Sequence, residues 1–287
     1  MSSVVISVEN RKGGVGKTTT AVTLAVRVAQ RCPEDRVLLI CVDPQGDAAR
    51  ALGVDPGGRC LSQLLNEEAP YGDVIMSADL APQGGPSRPN LYYLPASNRL
   101  FSALTTIQED VVAMREISKK MSEAARKRQG LDEIEDLTAR VLNVLMPLKA
   151  AKGGPKYIFI DCPPSLGPMQ MAIHKFADWA IVPVEPGDQD LAMTVQHTTE
   201  IAADLKLGAN MKLLAVLPTN VQGHLNLHAA MLRQISDVYK PQRALVTYIP
   251  RRTAIQQGPS LGGLVIFDHE PESDAARAYD KLAERVI

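Results

Sequence analysis

Residues 9–20 read Glu9-Asn10-Arg11-Lys12-Gly13-Gly14-Val15-Gly16-Lys17-Thr18-Thr19-Thr20. They follow an apolar, β-branched run at 4–8 and precede residues 21–30, whose apolar positions repeat with the period of a helix. A glycine-rich turn between a buried strand and a helix is typical of a phosphate-binding loop, because backbone N–H groups and the positive end of the helix dipole approach the phosphate oxygens. In such a loop we expect Lys17 to contact the β- and γ-phosphates and the Thr18 hydroxyl to bind Mg²⁺.

The loop departs from the usual pattern G-x-x-x-x-G-K-[ST] at its first position, where Arg11 replaces glycine and a second lysine, Lys12, follows. Residues 12–19 resemble the deviant Walker A motif of the ParA/MinD family of ATPases. In that family the additional lysine points across a dimer interface at the partner's nucleotide. The resemblance therefore implies this role for Lys12 and the ordinary role for Lys17. It also implies that ATP is bound by Gly13, Gly14, Val15, Gly16, Lys17, Thr18 and Thr19.

Two aspartates, Asp43 and Asp161, end apolar strand-like runs. Ligands of open α/β sheets bind at the carboxyl ends of the strands, and a carboxylate there suits the water shell of Mg²⁺. Residues 42–48 resemble the family's Walker A′ segment and residues 161–167 its Walker B segment. The resemblance implies that Thr18, Asp43 and Asp161 hold Mg²⁺, and that Asp43 positions or activates the attacking water. For either aspartate alone, the alternative is a carboxylate that caps the next turn.

The order of the patterns predicts an α/β fold with a doubly wound, mostly parallel sheet and P-loop NTPase architecture. We expect residues 1–287 to form a single ATPase domain. A helical insertion of two helices is predicted at about 100–150, where the composition becomes rich in Glu, Lys, Arg, Ala and Leu. Pro183 is expected to weaken the end of its strand. Strands are predicted at 4–8, 36–43, 90–95, 156–161, 179–184, 212–217 and 244–249, and helices at 21–30, 190–205, 225–239 and 273–285.

Three further groups of candidate residues lie outside these motifs. By resemblance, Asn220 falls where the family contacts adenine; the alternative is an ordinary turn asparagine. Arg251 and Arg252 follow a segment that resembles one near the family's dimer and DNA-binding face, and adjacent arginines suit phosphate contacts. Basic residues within the insertion could also grip DNA or a partner protein. For all of these basic residues, solvated surface charge is the alternative.

Composition limits the classes of function. The formal net charge is −1 and aromatic residues make up 4% of the 287 residues, so DNA binding requires a local basic patch and base stacking is disfavoured. The four cysteines lack C-x-x-C spacing, and no run of apolar residues is long enough to span a membrane. These features, with no recognisable leader at the N-terminus, favour reduced thiols and a cytoplasmic protein that does not bind a membrane.

The resemblance implies a homodimeric, ATP-dependent switch for the segregation of DNA such as a plasmid or a chromosome. Its ATP state would bind DNA without sequence preference at the nucleoid, and a ParB-like adaptor would stimulate a weak hydrolysis of ATP. Too few residues precede the loop for an N-terminal helix-turn-helix domain. The alternatives are a MinD-like or protein-cargo-positioning ATPase and a metabolic enzyme. The C-terminal residues lack the basic excess of a membrane-binding helix, and no paired cysteines or substrate pocket indicate a metabolic enzyme.

Overall fold

The computed structural model describes residues 3–128, 134–165, 167–241, 243–244 and 247–287. Within them a seven-stranded sheet has the order β3-β4-β2-β5-β1-β6-β7, and every pairing is parallel except that between β3 and β4. The strands are β1 (Val4–Val8), β2 (Val37–Cys41), β3 (Met76–Ser77), β4 (Leu91–Leu94), β5 (Tyr157–Asp161), β6 (Trp179–Val184) and β7 (Lys212–Pro218).

Helices cover the sheet and extend from it. They are α1 (Lys17–Arg31), α2 (Asp47–Leu52), α3 (Leu61–Leu65), α4 (Tyr71–Val74), α5 (Asn98–Lys119), α6 (Glu123–Arg128), α7 (Leu137–Ala150), α8 (Gln170–Phe176), α9 (Asp188–Lys206), α10 (Asn226–Tyr239), α11 (Thr253–Gln257), α12 (Ile266–His269) and α13 (Asp274–Val286). Short 3₁₀ turns lie at Ala81–Gln83, Gly167–Met169 and Gly258–Leu261.

The central strands are buried on both faces, which explains why they are continuous apolar runs rather than alternating patterns. Every residue of β2 and β5 is buried. The helix that follows the glycine-rich loop, α1, packs against β2 and β5 on one side and against α13 on the other. The predicted doubly wound, mostly parallel α/β fold is therefore confirmed.

The register of the central strands brings their carboxyl ends together. Asp161 is aligned with Val8 of β1 and with Cys41 of β2. Asp43 lies two residues beyond the end of β2, in the turn that leads to α2. The glycine-rich loop, Asp43 and Asp161 consequently follow three adjacent strands at one edge of the sheet.

Pro183 lies inside β6, which continues to Val184, so the expected weakening does not end the strand. The pairing of β6 with β1 stops at Ile181, whereas its pairing with β7 runs on past Pro183. The strand tolerates Pro183, which has no backbone N–H to donate, because β6 no longer pairs with β1 at that position.

The segment expected to hold two inserted helices contains three in its described part, α5, α6 and α7. In α5 only Leu100, Ala103 and Leu104 are buried, so most of this 22-residue helix is exposed. By contrast, α7 packs against α3, α5 and α8 and contributes buried leucines to the core. The insertion therefore has an exposed part and a part that belongs to the core.

The strand predicted at 244–249 includes Leu245 and Val246, which lie outside the described residues. Its described ends run along β7: the Val216 N–H donates to the Ala244 carbonyl at 2.7 Å, and the Ile249 N–H to the Pro218 carbonyl at 2.7 Å. Among the described helices, none combines the length and apolarity needed to cross a lipid bilayer.

Candidate active site

Two glycines give the loop its shape. Gly14 and Gly16 have φ angles of 76° and 85°, in the left-handed region that glycine occupies without strain. Gly16 directly precedes α1, so the turn delivers the chain into the first residue of the helix. This is the geometry by which a loop directs backbone N–H groups and a helix N-terminus towards an anion.

Lys17 is the first residue of α1, and its side chain reaches back to the start of the loop. Its ammonium donates a hydrogen bond to the Lys12 carbonyl at 2.8 Å, and its side chain is buried. Burial lowers the pKa of Lys17, while the carboxylates of Asp161 and Asp43 act in the opposite direction. The ammonium is thus held where those two aspartates face it, as expected for the lysine that contacts phosphates.

The start of the loop is tied to the end of β6. The Lys12 N–H donates to Asn10 Oδ1 at 3.1 Å, and the buried Asn10 amide donates to the Pro183 carbonyl at 2.7 Å. The loop backbone at Lys12 is therefore fixed by a side chain two residues earlier.

Asp161 is fully buried, and neither of its carboxylate oxygens has a hydrogen-bond partner in the described part of the chain. Burial raises the pKa of Asp161 to about 7; the nearby Asp43 carboxylate adds to this rise, and the Thr18 hydroxyl and Lys17 oppose it. An unpartnered carboxylate buried beside a second carboxylate and a hydroxyl has the oxygen donors that Mg²⁺ prefers. Thr18, Asp43 and Asp161 therefore fit a Mg²⁺ site.

Asp43 differs from Asp161 in that it does cap a turn. Its Oδ1 accepts a hydrogen bond from the Gln45 N–H at 2.9 Å, which is the arrangement expected from a strand-end aspartate. The side chain is only half-buried. This position, next to the site and open to water, is compatible with a residue that orients a water molecule.

A cavity of about 140 Å³ adjoins the loop. Asn220 lines it, has a φ angle of 54° and donates from its amide to Glu185 Oε1 at 2.5 Å. The neighbouring Thr219 hydroxyl donates to the Val15 carbonyl at 2.8 Å, which joins β7 to the loop. The structure thus places Asn220 beside the loop.

Arg251 and Arg252 lie on the wall of the same cavity, and both are exposed. The Arg252 guanidinium pairs with the Asp274 carboxylate through Nε at 2.8 Å and Nη2 at 2.6 Å. The Arg251 N–H donates to the Val221 carbonyl. The charge of Arg252 is therefore partly compensated within the chain.

A buried cluster next to the loop was not predicted from the sequence. Glu9, at the end of β1, has its Oε1 atom 3.2 Å from His174 Nε2 and 3.5 Å from His197 Nε2. Burial alone would raise the pKa of Glu9, but the two histidines lower it to about 2. A carboxylate directly after a buried strand was the available signal, whereas nothing in the sequence indicated its distant partners.

Comparison with known proteins identifies the family. A family model described as an AAA domain matches residues 3–213. The chain is 30% identical over 285 residues to the chromosome-partitioning ATPase Soj of Thermus thermophilus, which covers 98% of this chain and 94% of that protein. The chain belongs to the ParA/MinD family of ATPases. It is also 28% identical to the sporulation initiation inhibitor protein Soj of Bacillus subtilis, over 98% of this chain and 97% of that protein.

A solved structure confirms the ParA/MinD fold. Apo McdA of Cyanothece superposes with a TM-score of 0.75 at 20% identity, over 99% of this chain and all of that one. The family-model match and the similarity to the two Soj proteins confirm the resemblance found at residues 12–19 and the expected ATPase class.

Proposed function

We propose that this ParA-type ATPase is a dimerising switch for DNA segregation. Its ATP-bound homodimer binds DNA without sequence preference, and hydrolysis stimulated by a ParB-like adaptor resets it. The observation that carries the proposal is the convergence of the loop, Asp43 and Asp161 at three adjacent strand ends, in a chain that matches Soj proteins over nearly its whole length. The cofactors are ATP and Mg²⁺.

Each residue of the site has a role in ATP binding or hydrolysis that follows from its position. Lys17 exchanges its hydrogen bond to the Lys12 carbonyl for phosphate oxygens, and the backbone of Gly13–Thr19 cradles the phosphates. Lys12 reaches the nucleotide of the partner subunit, and Asp43 orients the attacking water. Mg²⁺ held by Thr18, Asp43 and Asp161 would neutralise charge on the phosphate oxygens. Asn220 contacts adenine from the cavity beside the loop.

The DNA contact must come from a local patch, because the formal net charge of the chain is −1. Arg251 is a better candidate than Arg252, whose guanidinium is paired with Asp274. The basic residues at the end of α5 and in α6 are the second group, since Lys120, directly after α5, and Lys127 of α6 are exposed. This assignment implies binding at the surface of the nucleoid.

The direct test is DNA binding by the purified protein with ATP, with ADP and without nucleotide, at several salt concentrations. We expect binding only with ATP, without sequence preference, and a steep loss of affinity with salt. Arg251→Ala should reduce the salt dependence by about one phosphate contact. Lys206→Ala, at the exposed end of α9, is the matched control and should change nothing.

The alternative is a MinD-like or protein-cargo-positioning ATPase. ATP hydrolysis with no DNA binding in any nucleotide state would contradict the proposed DNA switch and favour that alternative.

A further inference from the structure

Glu9 is an acidic residue that the chain buries where the phosphate-binding loop begins. Only 1% of its side chain is exposed, and it lies between His174 of α8 and His197 of α9. His174 contacts a second carboxylate through its other nitrogen, with Nδ1 2.7 Å from Asp204 Oδ2. Both histidines and Glu9 are thus shielded from water in a compact charged cluster.

The cluster continues to the surface on its other side. Glu200 Oε2 lies 4.0 Å from His197 Nδ1, and Glu200 Oε1 lies 3.0 Å from the Arg11 guanidinium. Acidic and basic side chains therefore alternate from Asp204 through Glu9 to Arg11. They link α8, α9 and the first residues of the loop.

Short contacts connect Glu9 to the two lysines. The Glu9 N–H donates to the Ile181 carbonyl at 3.1 Å. The next residue, Asn10, holds the Lys12 N–H, and the Lys12 carbonyl in turn accepts the Lys17 ammonium at 2.8 Å. A displacement of Glu9 would therefore move the Asn10 side chain and the loop backbone at Lys12, and with them both lysines.

Stability alone is a poor reason for such a cluster, because well-packed apolar residues of similar volume usually stabilise a core as well as buried ions do. We propose that Glu9 is a positioning residue for ATP binding. Its carboxylate, held between His174 and His197, fixes the first turn of the phosphate-binding loop against α8 and α9. This proposal rests on the ATPase activity and not on DNA binding, so it would still hold if the protein bound no DNA in any nucleotide state.

The proposal predicts a particular pH dependence. Burial opposes the charge on His174, but Glu9 and Asp204 raise its pKa above the ordinary value. Its contribution is thus fully present below pH about 6.5 and is lost as the pH rises through the raised pKa. The charged or titratable groups that face Glu9 or its histidines are Cys162 after β5, Arg11 in the loop, His174 on α8, and His197, Glu200 and Asp204 on α9.

Glu9→Gln is the main test, because glutamine keeps the volume and removes the charge. With folding verified by thermal melting, we expect the KM for ATP to rise about tenfold while kcat changes by less than about twofold, since a disordered cradle loses binding shared by ground and transition states. In the wild type, ATP affinity should fall on the alkaline side, and in Glu9→Gln that dependence should be absent. His224→Gln, an exposed histidine outside the cluster, is the control and should keep the wild-type profile.

Glu200→Gln supplies a second test at the surface end of the cluster, where folding is not at risk. It breaks the contact with Arg11 and should raise the KM for ATP by a smaller factor without lowering the melting temperature. A Glu9→Gln protein with a lower melting temperature but unchanged KM and pH profile would show a structural role only and would overturn the proposal. If Glu9→Gln does not fold, an unchanged KM in Glu200→Gln overturns it.

Discussion

Asp161 combines full burial with a carboxylate that no hydrogen bond satisfies within the described residues. Such a group destabilises the ligand-free protein when it is charged. Its pKa is raised to about 7, so between pH about 4 and 7 the folded chain holds a proton that the unfolded chain releases. Stability therefore declines as the pH rises through that window and stays low above it. The Asp161 carboxylate, which is placed to bind a metal ion, therefore lowers the stability of the ligand-free protein at neutral pH.

Asp161→Asn tests whether the buried charge of Asp161 lowers the stability of the protein. In the presence of a chelator at pH 8, we expect the variant to melt a few degrees higher than the wild type, because the buried charge is gone. At pH 4 the two melting temperatures should converge, and Mg²⁺-dependent ATP hydrolysis should be lost at any pH. Asp237→Asn, on the exposed face of α10, is the control and should change the melting temperature little. A lower melting temperature for Asp161→Asn at pH 8 would contradict this reasoning.

Substitution of Lys17 and substitution of Lys12 should impair different steps, ATP binding and ATP hydrolysis respectively. Lys17→Ala removes the ammonium that faces Asp161 and Asp43, so we expect ATP binding itself to be lost. Lys12→Ala keeps the backbone carbonyl and should retain ATP binding, while kcat falls about a hundredfold because a donor to transition-state charge is missing. Fluorescent nucleotide titration and phosphate release measure the two quantities. Unchanged hydrolysis in Lys12→Ala would exclude its role across the interface.

The site residues differ in how far the sequence alone could predict them. The loop and Asp161 belong to local motifs, in which a strand, a turn and a helix are contiguous, so their place could be predicted. Glu9 lies in the same stretch, but its burial depends on His174 and His197, which only the packing of α8 and α9 brings near. Contacts of that kind leave no periodic signal.

At the scale of elements, burial and length explain which strands and helices could be predicted from the sequence and which could not. The continuous apolar runs of β1, β2 and β5 were predictable because both faces of these strands are covered. The edge strand β3 was missed, since it has only two residues and pairs on one side with β4. Short helices such as α3 were also missed, because five residues carry too little periodicity to distinguish a helix from a loop.

Helix α13 illustrates an element whose start was predictable. A helix was predicted from residue 273, and Ser273 is its N-cap, because its hydroxyl accepts a hydrogen bond from the Ala276 N–H at 3.1 Å. The helix packs on α1, where the Arg27 guanidinium donates to Asp280 at 2.7 Å. Its position beside the loop helix makes its stability relevant to the site.

Ser273→Ala should lower the free energy of unfolding by about 1 kcal/mol, because the first turn of α13 loses its side-chain acceptor. Urea denaturation with an unchanged m-value measures this difference. Ser102→Ala, in the exposed part of α5, is the matched control and should be neutral or slightly stabilising. Equal stability of Ser273→Ala and the wild type would contradict the importance of the cap.

At the scale of the whole molecule, residues from both ends of the chain line the cavity beside the loop. The cavity beside the loop is lined by Gly14 and Val15 and also by Asn220, Arg251 and Tyr279. Asn220, Arg251 and Tyr279 lie beyond residue 213, where the match to the family model ends. A ligand that fills this cavity would therefore contact both the loop and the C-terminal part of the chain.

The central claim is that ATP controls the association of two chains, and its most direct test is the mass in solution of Asp43→Ala. Thr18 and Asp161 remain to hold Mg²⁺ in this variant, so it should bind Mg-ATP, but without the residue that orients the attacking water it should hydrolyse ATP too slowly to reset. Sedimentation velocity should show a dimer with ATP and a monomer with ADP or without nucleotide, and adding Lys12→Ala should weaken the dimer. A monomer in every nucleotide state, or a dimer in all of them, would contradict the account.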